Sequence, residues 1–529
     1  MIGVPTGLPR RLLLGAALAP ALTGLRAAAA QDATLDLAVG APPSSVDPHF
    51  YTLTPNMALS AHLFDTLIRR DAQGRMIPGL AESWKRLDDS TWEFVLRRGV
   101  RFHNGEEFSA RDVVYTLDRV PKVVNSPGSF AVYTKAITKV DVVDSHTLRF
   151  QTAGIYPLLP GDLSQVSIIW HGLGENPSTG DFNNGRNAIG TGPFRLVAFR
   201  SGDRVEMVRN DDYWGGKPAW ARLNYRIIPN NGARVAALQA GDVGFIDNVP
   251  TSDRARLRGE TRLRLSEITS LRSVYLRTDF RTESPYVSGP NGEPIRNPMT
   301  DIRVRRALSI AINRAGITER IMSGAATPTG QVMPEGTYGY VADIPVPSFD
   351  VDAAKKLLAE AGVGDGFTVT LLASNDRYIN DAQVAQSIGQ MWSRIGVKTN
   401  VETMPFAVVA QRGARQDTSI SMGGWANSAG EPSAGLRGLF GTRDMQRGWG
   451  TVNNTGFSNA DYDRVLGDAL TTADDSAREK KFQEATRIAV REAAWIPLHI
   501  QKCTWGMKQG LVHTPRADEM TLAMDIRPA

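Results

Sequence analysis

The 529 residues include a single cysteine, Cys503, and only seven histidines. One thiol excludes an internal disulfide, and with it the disulfide-stapled class of secreted domain. It also leaves no cysteine behind the N-terminal segment for lipid attachment. His49, His62, His103, His146, His171, His499 and His513 are scattered, with no His-Glu-x-x-His and no cysteine pair. Their spacing argues against a metal site, and no cofactor is expected. No Gly-x-Ser-x-Gly elbow is present, Cys503 has no local nucleophile signature, and acids such as Asp247 or Glu431 have no partner in view to make a general base. The sequence therefore predicts no catalytic constellation. Lys/Arg runs long enough to track phosphates are also missing, which makes nucleic acid a poor partner.

What is present is an ordinary globular composition, 42% hydrophobic and 22% charged, in a chain long enough for two or three domains. The N-terminus carries Arg10-Arg11, then an apolar run from Leu12 to Leu25 broken by Pro20 and too short for a lasting membrane anchor, then Ala28-Ala29-Ala30 before Gln31. Residues 1–30 read as a secretory signal peptide, and the paired arginines permit a twin-arginine route. Cleavage removes Arg10, Arg11 and Arg26, lowering the formal charge from +5 to +2. A soluble monomer free in the periplasm is expected.

Residues Ser83 to Val120 are the most informative stretch. Trp92, Phe94 and Leu96 alternate with Thr91, Glu93 and Val95, the period of a half-buried strand. Asn104-Gly105 supplies a tight turn. Ser109, with Asp112 three residues on, caps a helix whose Val113, Leu117 and Val120 share one face.

From Glu82, the order Glu-Ser-Trp, short acidic turn, aromatic strand, Arg-rich bend, Phe-x-x-Gly and Ser-Ala-x-Asp-Val helix resembles the signature of the family 5 solute-binding proteins, the peptide, dipeptide and nickel receptors of ABC importers. Two further segments resemble the family in the same order: Ile189 to Trp214, and Asn454 through the Ala477–Arg491 helix to Leu498. The resemblance implies an α/β fold of two lobes with mixed sheets, a hinge between them and a small subdomain in the first. Lobe I is expected over 31–272 with the subdomain at about 71–187, lobe II over 273–494, and a return to lobe I over 495–529. Expected partners are a small peptide-like solute and the permease and ATPase subunits of an importer.

The residues themselves supply most of the elements. Thr34 to Val39 reads as a first strand, Val140 to Phe150 as two short strands able to pair with the Trp92 strand, and Ser201-Gly202-Asp203 as the turn of a hairpin. Ala233 to Ala240 reads as a helix ending at Gly241, Val243 to Ile246 as a strand, and Leu271 to Asp279 as a longer one. Asp301 caps a helix with Val304, Ala307, Leu308, Ala311 and Ile312 on one stripe, and Asp350 caps another ending at Gly362. The strand Phe367 to Ala373, the helix carrying Val384, Ile388, Met391 and Ile395, and a strand from Val397 form a β-α-β unit, hence a parallel sheet.

Ligands of open α/β sheets sit outside the carboxyl ends of strands. The loop after Ala373 offers Asn375, Arg377 and Tyr378; the loop after a strand Ile420 to Met422 offers Trp425, Asn427, Ser428 and Glu431, with Arg437 a few residues on. These supply an aromatic wall, amide and hydroxyl partners and a guanidinium for a carboxylate. The resemblance adds Tyr51 and Thr52, from a loop that lines the cleft in the family. Peptide-binding members place an aspartate where this chain has Ser428, and the Ser-Ala-Gly-Glu run followed by Leu436-Arg437 is nearer the glutathione-binding branch. The expected function is capture of a dipeptide, oligopeptide or glutathione-like solute for import. The alternatives are a sensor, chaperone or peptide hydrolase on the same scaffold, or an opine, sugar or metal chelate as ligand.

Overall fold

Two long strands organise the molecule. Leu263–Thr278 and Ile496–Lys508 pair antiparallel from Leu263 opposite Lys508 to Leu276 opposite Ile496. The computed structural model describes residues 33–529, so the expected signal at 1–30 lies outside the described residues. The register of the ribbon is irregular between Thr269 and Ser273 and again between Val274 and Tyr275. The first irregularity is where the ribbon changes neighbours. Below it, Met507 and Gly506 pair with Phe245–Ile246; above it, Arg272 to Thr278 pair with Ile420–Ala426. An irregular register bends and twists a ribbon locally, so one continuous sheet can serve two bodies.

On the first side the sheet continues through Phe245–Ile246, Thr34–Val39, Arg222–Ile227, Arg204–Arg209 and Phe194–Arg200. Thr34–Val39 lies parallel to both neighbours, while the last two strands form the hairpin around Ser201-Gly202-Asp203. Leu37, Phe194, Val205 and Leu223 are fully buried in this lobe's core.

On the second side, Phe367–Ser374 lies parallel to Val397–Met404 along its whole length, joined by the helix Asp381–Ser393 whose Val384, Ala385, Ile388 and Trp392 are buried. The expected β-α-β unit is therefore present. Asp301 and Asp350 accept backbone N–H groups at the starts of Ile302–Ile310 and Val351–Glu360, each cap contributing about 1 kcal/mol. Val304, Ala307, Leu308, Ala311 and Ile312 are all fully buried, as the stripe requires.

Ala81–Arg86, Thr91–Leu96, Thr147–Thr152 and Ile137–Asp144 make a separate four-stranded antiparallel sheet. Phe94, Leu96, Phe108, Val113, Leu148 and Phe150 fill its core, covered by the helix Ala110–Arg119, which opens with a reciprocal Ser109–Asp112 capping box.

Element boundaries differ from expectation most instructively at three places. The strand expected to stop at Met422 runs to Ala426, because Gly424 and Trp425 still pair with Val274 and Ser273. The strand expected from Leu271 begins at Leu263, since its first half alternates polar and apolar and is held by pairing with Ile496–Lys508. Only Phe245–Ile246 of the expected Val243 to Ile246 is in register with a neighbour. Among the described residues, no helix is long and apolar enough to cross a membrane.

Candidate functional site

Between the lobes lies a cavity of about 1650 Å³, larger than the roughly 300–1,000 Å³ usual for small-molecule sites. Its second-lobe wall is the end of the strand Ile420–Ala426 and the loop that follows. Trp425 is half-buried on that strand, and its indole lies where a Cβ on Gly435 would come within 3.0 Å of Nε1. Glycine at 435 is what lets the following turn pack over the ring.

Asn427 is 3% exposed, donates from its backbone to Leu271 O at 3.0 Å, and donates from its amide to Val332 O at 3.3 Å. Its Oδ1 has no hydrogen-bond partner. Gly430, at φ +70°, closes the loop onto the first lobe, where an added Cβ would lie 2.6 Å from Gly74 O. Glu431 accepts from Ser433 N at 2.8 Å and from Ser433 Oγ. Arg437 sits on the π-helical turn Leu436–Phe440, which Tyr462 anchors by donating its hydroxyl to Leu436 O at 2.8 Å.

The first-lobe wall carries Arg70 and Asp162. Arg70, at the end of the strand Ile68–Arg70, donates to Gly74 O at 2.7 Å and to Ser164 Oγ at 3.0 Å. Asp162 rides on the short helix Leu159–Leu163 and accepts from the Tyr156 hydroxyl at 2.6 Å. Among the charges lining the cleft are two acids and two bases, one of each sign from each lobe, none of which lies within 4.0 Å of an opposite charge; Lys135 and Arg447 line it without an ion pair too, while Arg75, Asp118, Lys139, Asp475 and Arg478 line it in ion pairs.

This arrangement perturbs the titration of its groups. Burial pushes the Asp162 carboxyl up to about 7, against the Tyr156 hydrogen bond and the Arg437 charge; Glu431 adds repulsion across the cleft. Burial likewise raises Glu431, opposed by its Ser433 hydrogen bonds and by Arg70 and Arg437. Burial lowers Arg70 to about 10 despite the charges of Glu431 and Asp162. Asp162, Glu431 and Arg70 are each desolvated without full compensation, the electrostatic condition of a site awaiting a charged ligand.

Of the residues singled out from the sequence, Thr52, Trp425, Asn427, Ser428, Glu431 and Arg437 line this cavity together. Ser428 and Arg70 also line a second, smaller chamber of about 120 Å³ behind it. Asn375, Arg377, Tyr378 and Tyr51 stand outside the cavity wall. Asn375 is exposed, and Tyr378 is buried with its hydroxyl 3.5 Å from Gly424 O. The Arg377 guanidinium lies 5.6 Å from the Phe406 ring and 5.7 Å from that of Tyr378. Burial, and then the like charge of Arg272, lower its pKa, while Tyr378, Glu519 and Tyr51 oppose the shift. Arg70, Tyr156 and Asp162 escaped sequence reading. They sit in a three-residue strand, an irregular loop and a five-residue helix, none long enough to carry a periodic signal.

A cleft walled by two lobes, with a strand ribbon running between them, defines a two-lobed solute-binding protein. The chain belongs to the bacterial extracellular solute-binding proteins of family 5: the model described as "Bacterial extracellular solute-binding proteins, family 5 Middle" matches residues 75–447. Heme-binding protein A of Haemophilus influenzae is 29% identical over 453 residues, 80% of this chain and 78% of its own. The glutathione-binding protein GsiB of Salmonella choleraesuis is 29% identical over 503 residues, 92% of each chain. The periplasmic binding protein DppA of Helicobacter pylori, solved with the peptide STSA, superposes with a TM-score of 0.79 at 22% identity, covering 95% of this chain and 99% of that one.

Proposed function

We propose that the protein captures a small peptide or peptide-like solute, of dipeptide, oligopeptide or glutathione type, in the periplasm, and delivers it to the permease and ATPase subunits of an ABC importer. The observation that carries this reading is that acids and bases unpaired within 4.0 Å face one cavity from both lobes, Arg70 and Asp162 from the first and Glu431 and Arg437 from the second. A peptide or glutathione brings carboxylate and ammonium together and matches both signs. A dianionic macrocycle would leave Asp162 and Glu431 unmatched.

In this reading the protein works as a monomer without a catalytic step. It is exported by the signal at residues 1–30, by a twin-arginine or general route. The chain crosses between lobes near 272, the ribbon irregularity at Thr269 to Ser273 serving as the hinge, and the returning strand passes that irregularity at Ile500 to Lys502. Closure gains contacts from both walls only when a solute fills the cleft.

The test is a thermal-shift screen of dipeptides, longer peptides, glutathione, opines, sugars and metal ions on protein freed of bound solute. A peptide or glutathione should raise the melting temperature, bind one to one by calorimetry, and reduce the radius of gyration in small-angle scattering. A hit only among sugars or metal ions overturns the peptide reading.

A further inference from the structure

The peptide reading accounts for the charged side of the cavity and leaves the rest of its 1650 Å³ unexplained; the inference here rests on that reading and deepens it. One wall has a different character. It comes from the small four-stranded sheet and its covering helix, and it is made by Val114, Leu117, Pro121, Val132, Ile137 and Val140. Leu117, Ile137 and Val140 lean on the core of that sheet, and Val113 is fully buried in it, yet Val114 is exposed and Val132 is 53% exposed. Met76 of the first lobe and Met445 of the second, the latter 60% exposed, line the same space.

Large apolar side chains left exposed together in a concavity mark a binding surface. The charges among them are engaged already. Asp118 pairs with Lys122 and Lys139 with Asp141, each at 2.6 Å; Lys135 donates to Gln446 O at 3.3 Å, and the Arg447 guanidinium lies 4.3 Å from the Trp449 ring. The opposite holds where Arg70, Asp162, Glu431 and Arg437 face the cavity with no opposite charge within 4.0 Å. We infer that the wall of Val114, Val132 and Ile137 is a subsite for an apolar group, and that the solute is amphiphilic: a charged, peptide-like head carrying an alkyl or aryl group several carbons long.

The occupant is the solute's own tail, because the apolar wall and the four unpaired charges line one continuous cavity. The volume agrees, since it exceeds the roughly 300–1,000 Å³ of ordinary small-molecule sites. The four-stranded subdomain thereby takes part in recognition, and Met445 covers the tail from the facing lobe. Each methylene buried there should raise affinity about fourfold until the wall is filled, with a heat-capacity change that grows more negative with chain length. Val132 and Met445 are more than half exposed without solute, so substituting them leaves the folded chain nearly as stable.

The experiment is calorimetry on the full mature chain with two series in which the head is constant and the chain grows: S-methyl-, S-butyl- and S-hexyl-glutathione, and alanyl-alanine beside alanyl-2-aminodecanoic acid. Octyl glucoside, below its micelle-forming concentration, supplies a tail without a charged head, and hemin a rigid apolar ligand. Affinity should climb along each series. Val132→Asn and, from the other lobe, Met445→Ser should each weaken S-hexyl-glutathione about tenfold, somewhat less than the loss of two buried methylenes, and leave S-methyl-glutathione within about twofold. Ligand-free melting should match the parent's. If the short heads bind and the chain adds nothing, or both variants lose short and long probes alike, the inference is wrong and the peptide reading stands. If neither series binds at any length, the peptide reading falls and octyl glucoside decides the subsite: one-to-one binding weakened by Val132→Asn upholds it, and no binding removes it. Hemin as the sole binder sinks both.

Discussion

Arg272 and Glu519 form a bidentate pair beside the ribbon irregularity, with Arg272 Nε 3.0 Å from each carboxylate oxygen and its Nη2 2.7 Å from Oε2. The pair ties the C-terminal segment to the long strand Leu263–Thr278 at the point where that strand passes between lobes. Both side chains are largely buried, at 6% and 15% exposure, so neither charge is well solvated if its partner is lost.

Removing one partner should therefore be far worse than removing both. Arg272→Met or Glu519→Gln is expected to lower stability by about 3–5 kcal/mol, and the double variant to recover much of it. Chemical denaturation read by tryptophan fluorescence measures this. Burial alone would raise the Glu519 carboxyl, but the Arg272 charge and hydrogen bonds, joined by the charge of Arg377, outweigh it and hold it below its ordinary 4.5. A carboxyl depressed in the folded state contributes its stability above its ordinary value and loses it as pH falls toward the depressed one. The gap between parent and Glu519→Gln should be steady at neutral pH and shrink below 4.5. A gap unchanged down to the acid transition contradicts the assignment.

Asp162 has the opposite sign. Its carboxyl is raised from 3.8 to about 7, so the folded state holds a proton that the unfolded chain has released, and stability is lost as pH rises between those values. Ligand-free Asp162→Asn should melt above the parent at pH 8 and level with it near pH 4. Equal melting across that range would mean that solvent in the cleft screens the charge.

Gly430 is one of the places where the two walls touch. An alanine there meets Gly74 O at 2.6 Å and is held at φ +70°, so Gly430→Ala is expected to cost about 1–3 kcal/mol in ligand-free stability and to hold the lobes apart. Scattering should give a larger radius for the variant. An unchanged radius and melting point would show that loop shifts absorb the contact.

Most of the fold was legible in the sequence because its elements are long and strictly patterned. The stripe from Val304 to Ile312, the alternation of Phe94 and Leu96, and the caps Ser109, Asp301 and Asp350 each state one local choice, and packing agrees with it. Trp425 was legible as a residue but not as part of a strand. Two glycines before it read as a loop signal, whereas the pairing of Gly424 with Val274, 150 residues away, keeps them extended. Of the first-lobe half of the cavity only Thr52 was legible, and that through the family resemblance. Arg70, Tyr156 and Asp162 acquire their meaning only from the facing lobe, and no local pattern encodes that.

The last prediction separates two arginines that the sequence could not rank. A solute carboxylate needs a guanidinium that faces the cleft, since a bidentate pair requires contact distance. Arg437 lines the cavity, held by a π-helical turn tied at Leu436 O to Tyr462. Arg377 lies outside the wall, near the rings of Phe406 and Tyr378 and in the field of Arg272, Glu519 and Tyr51. Arg437→Met should therefore weaken binding of a carboxylate solute by at least about thirtyfold, the loss of a desolvated charge partner, while Arg377→Met should stay within about threefold. Both need unchanged ligand-free melting to count. Calorimetry with the tightest binder of the screen and with its carboxyl-amidated form completes the cycle: amidation should cost the parent as much as Arg437→Met does, and cost Arg437→Met little more. If Arg377→Met instead shows the large loss and Arg437→Met the small one, closure carries Arg377 into the cleft and the carboxylate binds at the end of the cavity nearer Tyr51. Equal small losses for both would leave the solute held by Trp425 and the polar loop residues, with no carboxylate anchor.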